Sequence, residues 1–412
     1  MKKSLTQISL DKWFRISIFS LLLVAFLGVI MRYKIAYSLP FINQKNLLGA
    51  HSHFAFAGWI TQALMVLTAF YISKNSISFS LKKYNYLLLG NSLTAYGMLF
   101  SFAFEGYGLI SIIFSTLSIF MSYAFAIVVW RDLNKIFKKR IAHYWIKTGL
   151  IFSVLSSIGP YCLAYMMATR SLHENAYLAS VYFFLHFQYN GWFFFTCMGL
   201  FVEKISTEII SLRIQKRIFF AFAFACAPAY FLSALWLPMP SWLYIIIILA
   251  AFAQVIAWIP LLVKVISNHK LIFVNTLLPI KYLFSLSALA LSIKLLLQLS
   301  STIPALTTWA FGFRPIVIGY LHLIFLGIFS IFILAYALYN QYFVYNKRTA
   351  LGIWIFVTGI ILNEIFLGAQ GVGAISYYAI PYVNELLLGA ACIMLTGVVI
   401  INIGKAKITE MH

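Results

Sequence analysis

Residues 47–59 read LLGAHSHFAFAGW, and an apolar stretch follows them directly. His51 and His53 therefore stand at the opening of a membrane span. An imidazole in lipid needs a polar partner or a ligand, because unsatisfied polar groups are costly there. We interpret this stretch as one of three related places where the chain holds a metal ion or a haem.

The composition predicts an all-α polytopic membrane protein. Hydrophobic residues make up 63% of the chain and charged residues only 9%, far from the balance of soluble proteins. The 4 cysteines lie apart in apolar segments without CxxC spacing, so they indicate neither a disulfide framework nor a zinc site. We expect them to be small packing residues.

Apolar stretches of about 20 residues mark the expected transmembrane helices. The sequence contains twelve such stretches, at 14–31, 47–72, 84–104, 108–130, 146–168, 178–202, 218–236, 241–263, 280–300, 316–340, 350–370 and 382–403. No polar connection is long enough to fold alone. We therefore predict a single integral membrane domain over 1–412.

The basic residues predict the orientation of these spans. With both termini in the cytoplasm, 24 of the 30 Lys and Arg residues fall in cytoplasmic segments, as the positive-inside rule requires. The formal charge of +21 is then a consequence of topology in the cell (inner) membrane. Membrane lipid is the expected surrounding, and nucleic acid is not expected as a partner.

An internal repeat connects three of the spans. Stretches with the pattern H-x4-G begin at His53, His186 and His322 and open spans 2, 6 and 10. They are separated by 133 and 136 residues, which predicts three pseudo-repeated four-helix units at about 14–130, 146–263 and 280–403. Because the three spans run in the same direction, their histidines fall at a similar depth near the outer face.

Neutral imidazole is a common axial ligand of haem iron and also binds copper. Glycine five residues further on lets a macrocycle or a neighbouring helix approach the backbone. For any single histidine, the alternative is a partly solvated polar side chain or a hydrogen bond between helices. Three histidines at equal spacing, depth and direction favour ligands.

Twelve spans with histidines opening spans 2, 6 and 10 resemble the catalytic subunit of haem–copper oxidases and the large subunit of nitric oxide reductases. The resemblance implies a low-spin haem b between helices 2 and 10. On helix 2, either His51 or His53 matches the ligand position. On helix 10, the stretch from Tyr320 to His322 falls at the family's HxH pair, so His322 resembles the low-spin ligand and Tyr320 replaces the ligand of a second haem.

The copper site of the family is incomplete in this chain. His186 resembles the copper ligand of span 6 and would otherwise serve a second haem, but span 7 contains no histidine. We therefore expect a degenerate second metal site without an ordinary copper centre. The chain is a divergent member in this interpretation, and oxidoreductase activity of the haem–copper oxidase type stays open.

Three charged residues complete the candidate sites. Arg314, just before span 10, suits a carboxylate such as a haem propionate, or anchors the helix at the interface. Lys294, near mid-span, is a candidate for a proton path, a counter-ion or a propionate contact, or else reaches the interface. Glu385 opens span 12 and is the second candidate for a proton path.

The favoured function is a membrane haem-binding redox protein of the respiratory-chain type, working by electron transfer. The alternatives are a proton-coupled transporter and a relative of the nitric-oxide-response membrane proteins that bind haem and copper. Because the chain has no CxxCH, a covalently attached haem is not expected. A cytochrome c-type electron donor would be a separate protein, and small partner subunits are possible.

Overall fold

The computed structural model describes residues 7–138, 140–171 and 173–404, and the side chain of Ala310 is not described. Within these residues the chain is helical and contains no strand. The predicted cytoplasmic termini include residues 1–6 and 405–412, which lie outside the described part.

Twelve helical runs, here α1 to α12, overlap the twelve predicted apolar stretches. They are α1 (Leu10–Ala36), α2 (Gln44–Asn75), α3 (Leu81–Glu105), α4 (Leu109–Lys135), α5 (Ile141–Ala168), α6 (Glu174–His186, Phe187–Phe193 and Phe194–Val202), α7 (Leu212–Cys226, then Pro228–Ala234), α8 (Ser241–Ser267), α9 (Leu278–Ser300), α10 (Arg314–Tyr339), α11 (Lys347–Ile375) and α12 (Val383–Ile403). Two short helices, His269–Ile272 and Pro304–Gly312, flank α9.

Ten helices of the described chain are long and apolar enough to cross a membrane, and the bent α7 makes eleven. The protein is therefore an all-helical, multi-pass membrane protein. The predicted number of twelve is not reached because α6 fails on apolarity. Its middle carries His186, Gln188 and Asn190 within one turn and a half, and such polar side chains need partners inside the protein.

The chain packs as two compact units. Unit 1 comprises residues 1–136 and 333–412, and unit 2 comprises residues 137–332. The boundary near residue 332 falls inside α10, so most of that helix, with α5 to α9, belongs to unit 2.

In unit 1, α12 packs against both α1 and α11, while α3 packs against α2 and α4. The α3–α4 contact is secured by Asp132, whose carboxylate accepts from Lys83 Nζ at 2.5 Å and from the Tyr84 hydroxyl at 2.9 Å. The side chain of Asn402 donates to the Ile18 carbonyl at 3.3 Å and connects α12 to α1. The Asp132 contacts lie near the ends of α3 and α4, where charged groups are cheapest.

In unit 2, α5 packs against α6, α7 against α8, and α9 against α8 and α10. Small residues allow the close approach of α5 and α6. A β-carbon built on Gly191 would lie 2.5 Å from Phe152 Cβ, and one on Gly199 would lie 2.7 Å from Ile146 Cγ1. An Arg140–Glu203 ion pair joins the start of α5 to the end of α6.

Helix α7 breaks at Pro228, and the two parts are bent by 46°. Proline has no N–H to donate and clashes with the preceding turn. In a regular α-helix the Cys226 carbonyl would accept from the Tyr230 N–H, but that N–H bonds to the Ala227 carbonyl at 3.1 Å in a 3₁₀ turn. The Cys226 carbonyl is thus available to a side chain from another helix.

Three segments of π-helix interrupt α2, α6 and α10. They cover Ala55–Thr61, Phe187–Phe193 and Leu323–Ser330. Each begins one or two residues after the histidine of an H-x4-G stretch and contains its glycine. π-Helical turns are rare and often occur at functional sites, so the repeat seen in the sequence has a matching repeat in the backbone.

Candidate functional site

Each π-helical segment receives a hydrogen bond from a side chain on a neighbouring helix. Asn91 on α3 donates to the Ala57 carbonyl at 3.0 Å, and Ser287 on α9 donates to the Ile328 carbonyl at 2.9 Å. In α6 the weaker donor Cys226 Sγ lies 3.7 Å from the Asn190 carbonyl. Such partners satisfy backbone groups that the change in helix geometry redirects.

His51 and His53 on α2 face different neighbours within unit 1. His51 faces α1, since an ideal β-carbon on Gly28 would lie 3.5 Å from its Cε1. The ring of His53 stacks on Phe102, with centroids 4.2 Å apart and planes 8° apart, and its Nε2 lies 3.4 Å from the Tyr107 hydroxyl. The two imidazoles do not share a common site.

The predicted residues of α10 lie close to the start of that helix. His322 is half-buried, and its Nδ1 donates to the Ile318 carbonyl one turn earlier at 2.8 Å. A carbonyl only accepts, so the proton is on Nδ1 and the lone pair is on Nε2. Tyr320 is also half-buried, whereas Arg314 is exposed at the first residue of the helix.

His186 is the centre of a buried polar group in unit 2, which we call the His186 cluster: His186, Asn190, Cys226 and Lys294. His186 Nε2 donates to the Cys226 carbonyl at 2.8 Å, and Asn190 Nδ2 donates to His186 Nδ1 at 3.0 Å. Lys294 Nζ donates to Asn190 Oδ1 at 2.5 Å. The chain of bonds therefore runs from α9 through α6 to α7.

All four residues of the cluster are buried, so the loss of any of its hydrogen bonds would leave a buried polar group without that partner. His186 is 0% exposed, Cys226 1%, Lys294 5% and Asn190 6%. The acidic side chains described in unit 2 stand outside the middle of its spans, with Glu203 paired to Arg140. Lys294 is buried in unit 2 with the Asn190 amide as its described partner, and a buried ionisable residue within a membrane protein is a candidate functional residue.

The cluster fixes the protonation state of His186. The Cys226 carbonyl can only accept, so Nε2 carries the proton. At the other end an ammonium can only donate, so Asn190 presents Oδ1 to Lys294 and Nδ2 to the ring. The bond from Nε2 to the Cys226 carbonyl and the bond from Asn190 Nδ2 to Nδ1 both indicate a neutral imidazole with its proton on Nε2.

The structure thus brings His186 and Lys294 together within unit 2, joined through Asn190. Glu385 is exposed in the first turn of α12 in unit 1, whereas Lys294 belongs to unit 2. Within the described chain, no group of three or more His, Cys, Asp or Glu side chains can hold a metal ion. His186 and Cys226 supply two such side chains, with 4.0 Å between Nε2 and Sγ.

Two residues of the cluster were not singled out by the sequence. Asn190 lies four residues after His186, a spacing that places both on one face of an α-helix. Cys226 was interpreted as a packing residue, yet it supplies a carbonyl because Pro228 breaks its helix. The sequence signal for the cluster was an Asn at i+4 from a buried His, together with a mid-span Lys.

Comparison with known proteins does not relate this arrangement to a known family. No protein-family model matches the chain, and no curated protein is significantly similar to it in sequence.

Proposed function

We propose that the chain is a membrane haem-binding redox protein, similar in plan to the catalytic subunit of haem–copper oxidases. The observation that carries the proposal is the hydrogen bond from His322 Nδ1 to the Ile318 carbonyl. Histidines that bind metals commonly donate their other N–H to a carbonyl or carboxylate, which orients the ring and raises its basicity. His322 has this arrangement on a π-helical element that occurs three times in the chain.

The chemistry of His322 suits one ligand of a haem b. His322 carries its lone pair on Nε2, as an axial ligand must. The resemblance implies a second ligand from α2, which would be His51 or His53; the ring of His53 stacks on Phe102 and its Nε2 lies near the Tyr107 hydroxyl. Gly28 on α1 lies against the His51 ring, since a β-carbon built there would make an ordinary contact with Cε1 at 3.5 Å.

A bound haem b would supply one-electron chemistry, and the chain's residues would orient it. The Ile318 carbonyl holds the His322 ring, and Arg314, exposed at the start of α10, suits a propionate carboxylate. We further propose twelve spans with both termini in the cytoplasm, α6 being a span whose middle is polar. The electron donor would be a separate cytochrome c-type protein.

The residues around His186 do not fit a copper centre. Both ring nitrogens are in hydrogen bonds, α7 supplies no histidine, and a lysine takes the remaining polar contact. We do not propose a second haem at Tyr320. We therefore assign no step of a reaction to a second metal.

A visible spectrum tests the haem proposal. The protein is purified in detergent from haem-supplemented cells, and spectra are recorded before and after dithionite. We expect a Soret band and reduced α and β bands in the wild type, and their loss in H322A. H186L serves as the matched control and should keep them, because its histidine lies on the same kind of element but is occupied by the cluster.

The spectrum also separates the two histidines of α2. Of H51A and H53A, one is expected to lose the bands and thereby to identify the ligand of α2, and the other to keep them. A colourless wild type from haem-replete cells would overturn the proposal and leave the proton-coupled transporter, for which the buried Lys294 is the supporting observation. In that case K294M should abolish proton-coupled uptake.

A further inference from the structure

The His186 cluster contains two side chains that soft metal ions prefer. Thiolate and imidazole together favour Cu(I), and Cys226 Sγ and His186 Nε2 lie 4.0 Å apart. Metal–sulfur and metal–nitrogen bonds of about 2.3 Å and about 2.0 Å span up to about 4.3 Å. The separation alone would therefore admit a metal ion between the two atoms.

The hydrogen bonds of the cluster oppose such an ion. A metal at Nε2 needs the lone pair there, so the proton would have to move to Nδ1. Nδ1 faces the amide nitrogen of Asn190, which is a donor. The amide would have to turn over and present its oxygen to the ring, but that oxygen accepts from Lys294 at 2.5 Å.

We propose that Lys294 prevents soft metal ions from binding between Cys226 and His186. Its hydrogen bond fixes the orientation of the Asn190 amide, and the amide in turn fixes the tautomer of His186. Lys294 is thus a positioning residue, which acts on the imidazole through one amide. In this proposal the cluster is a hydrogen-bonded polar centre inside unit 2 that does not accept a soft metal ion. This inference goes beyond the proposed function and does not depend on a haem.

A Cu(I) titration tests the proposal. The purified protein competes anaerobically for Cu(I) with bicinchoninate, whose complex is coloured. C226S sets the baseline due to the other three cysteines. We expect the wild type to take up no more Cu(I) than C226S, and K294M to take up one further equivalent, because its amide is free to turn. The double variant K294M/C226S should return to the baseline.

Two results of the Cu(I) titration would overturn the proposal. An additional, Cys226-dependent equivalent in the wild type, or none in a folded K294M, overturns the proposal. Methionine has nearly the length of lysine without its charge, and a monodisperse elution with unchanged far-UV circular dichroism shows that K294M is folded.

A second measurement tests the wild type alone, in case K294M does not fold. ¹⁵N NMR of protein labelled in its histidines distinguishes the two neutral tautomers, and the resonances lost in H186Q belong to His186. We expect the Nε2–H form. An Nδ1–H form in the wild type overturns the proposal, and a change to Nδ1–H in a folded K294M supports it through a readout that a merely structural lysine would not move.

Discussion

His186 and His322 occupy the same kind of element and have different chemistry. Both open an H-x4-G stretch, both are followed directly by π-helix, and both belong to unit 2. His186 is fully buried with both nitrogens in hydrogen bonds, whereas His322 is half-buried and donates through Nδ1 to its own helix. The protons of the two rings are consequently on opposite nitrogens.

The difference follows from the residue four positions on. After His186 this residue is Asn190, which bonds to the ring; after His322 it is Leu326, which cannot. His186 thus has a polar partner at i+4 for its second ring nitrogen, whereas His322 has an apolar side chain at that position and donates through Nδ1 to the Ile318 carbonyl. The two histidines precede the same kind of π-helical segment, and the side chain at i+4, Asn190 or Leu326, is one difference between their surroundings.

The largest effect on stability is expected from N190L, which gives His186 the neighbour that His322 has. The variant removes the bond that Lys294 makes to Asn190 and the bond to His186 Nδ1. Loss of a hydrogen bond to a buried charged group costs about 3 kcal/mol. The free energy of unfolding, measured in detergent by denaturant titration, should fall by about that amount.

The double variant N190L/K294M is the control for this loss. Because K294M also removes the buried amine, the double variant should be more stable than the sum of the two single losses predicts, by about 1–3 kcal/mol. Strict additivity would contradict the described coupling of Asn190 and Lys294.

A smaller effect is expected from the glycines that end the two stretches. A β-carbon on Gly191 would lie 2.5 Å from Phe152 Cβ, whereas one on Gly327 would lie 3.2 Å from Ala290 Cβ. G191A should therefore lower the free energy of unfolding by about 2 kcal/mol, since overpacking forces neighbouring helices apart. G327A, the matched variant, should lose less than half as much. Equal losses would show that the two glycines have the same packing role.

The smallest effect is expected from the side chain that bonds to the π-helical segment of α10. S287A removes the hydroxyl that donates to the Ile328 carbonyl at 2.9 Å, which should cost about 1 kcal/mol of unfolding free energy. S285A is the control on the same helix, because Ser285 is exposed and bonds only to the Lys281 carbonyl of its own turn. A loss in S285A as large as in S287A would contradict a specific role for the π-helical carbonyl.

Much of the fold could be predicted because hydropathy is a long-range average. Each of the twelve apolar stretches overlaps a helix; α6, with its polar middle, does not meet the length and apolarity of a span, and α7 meets them only if its two bent parts are taken together. The three H-x4-G stretches also coincide with a repeated backbone feature. Hydropathy does not distinguish α- from π-helix, so the π-helical segments themselves were not predicted.

The partners of each histidine could not be predicted, because they depend on neighbours distant in the chain. The bond between Lys294 and Asn190 joins residues 104 positions apart. The bond between His186 and Cys226 depends on how Pro228 redirects the Tyr230 N–H. Cys226 and Ser287 looked ordinary in the sequence, and only the packed helices give them partners.

The π-helical segments also determine where these spans can tolerate a change of length. A π-helical turn closes its ring over one residue more than an α-helical turn. Deleting one residue within Phe187–Phe193 or Leu323–Ser330 can therefore convert the segment to α-helix and leave the remainder of the span in its present orientation. The same deletion in an α-helical part would turn every later side chain by about 100°, so the loss of one residue is better tolerated inside the π-helical segments than elsewhere in these spans.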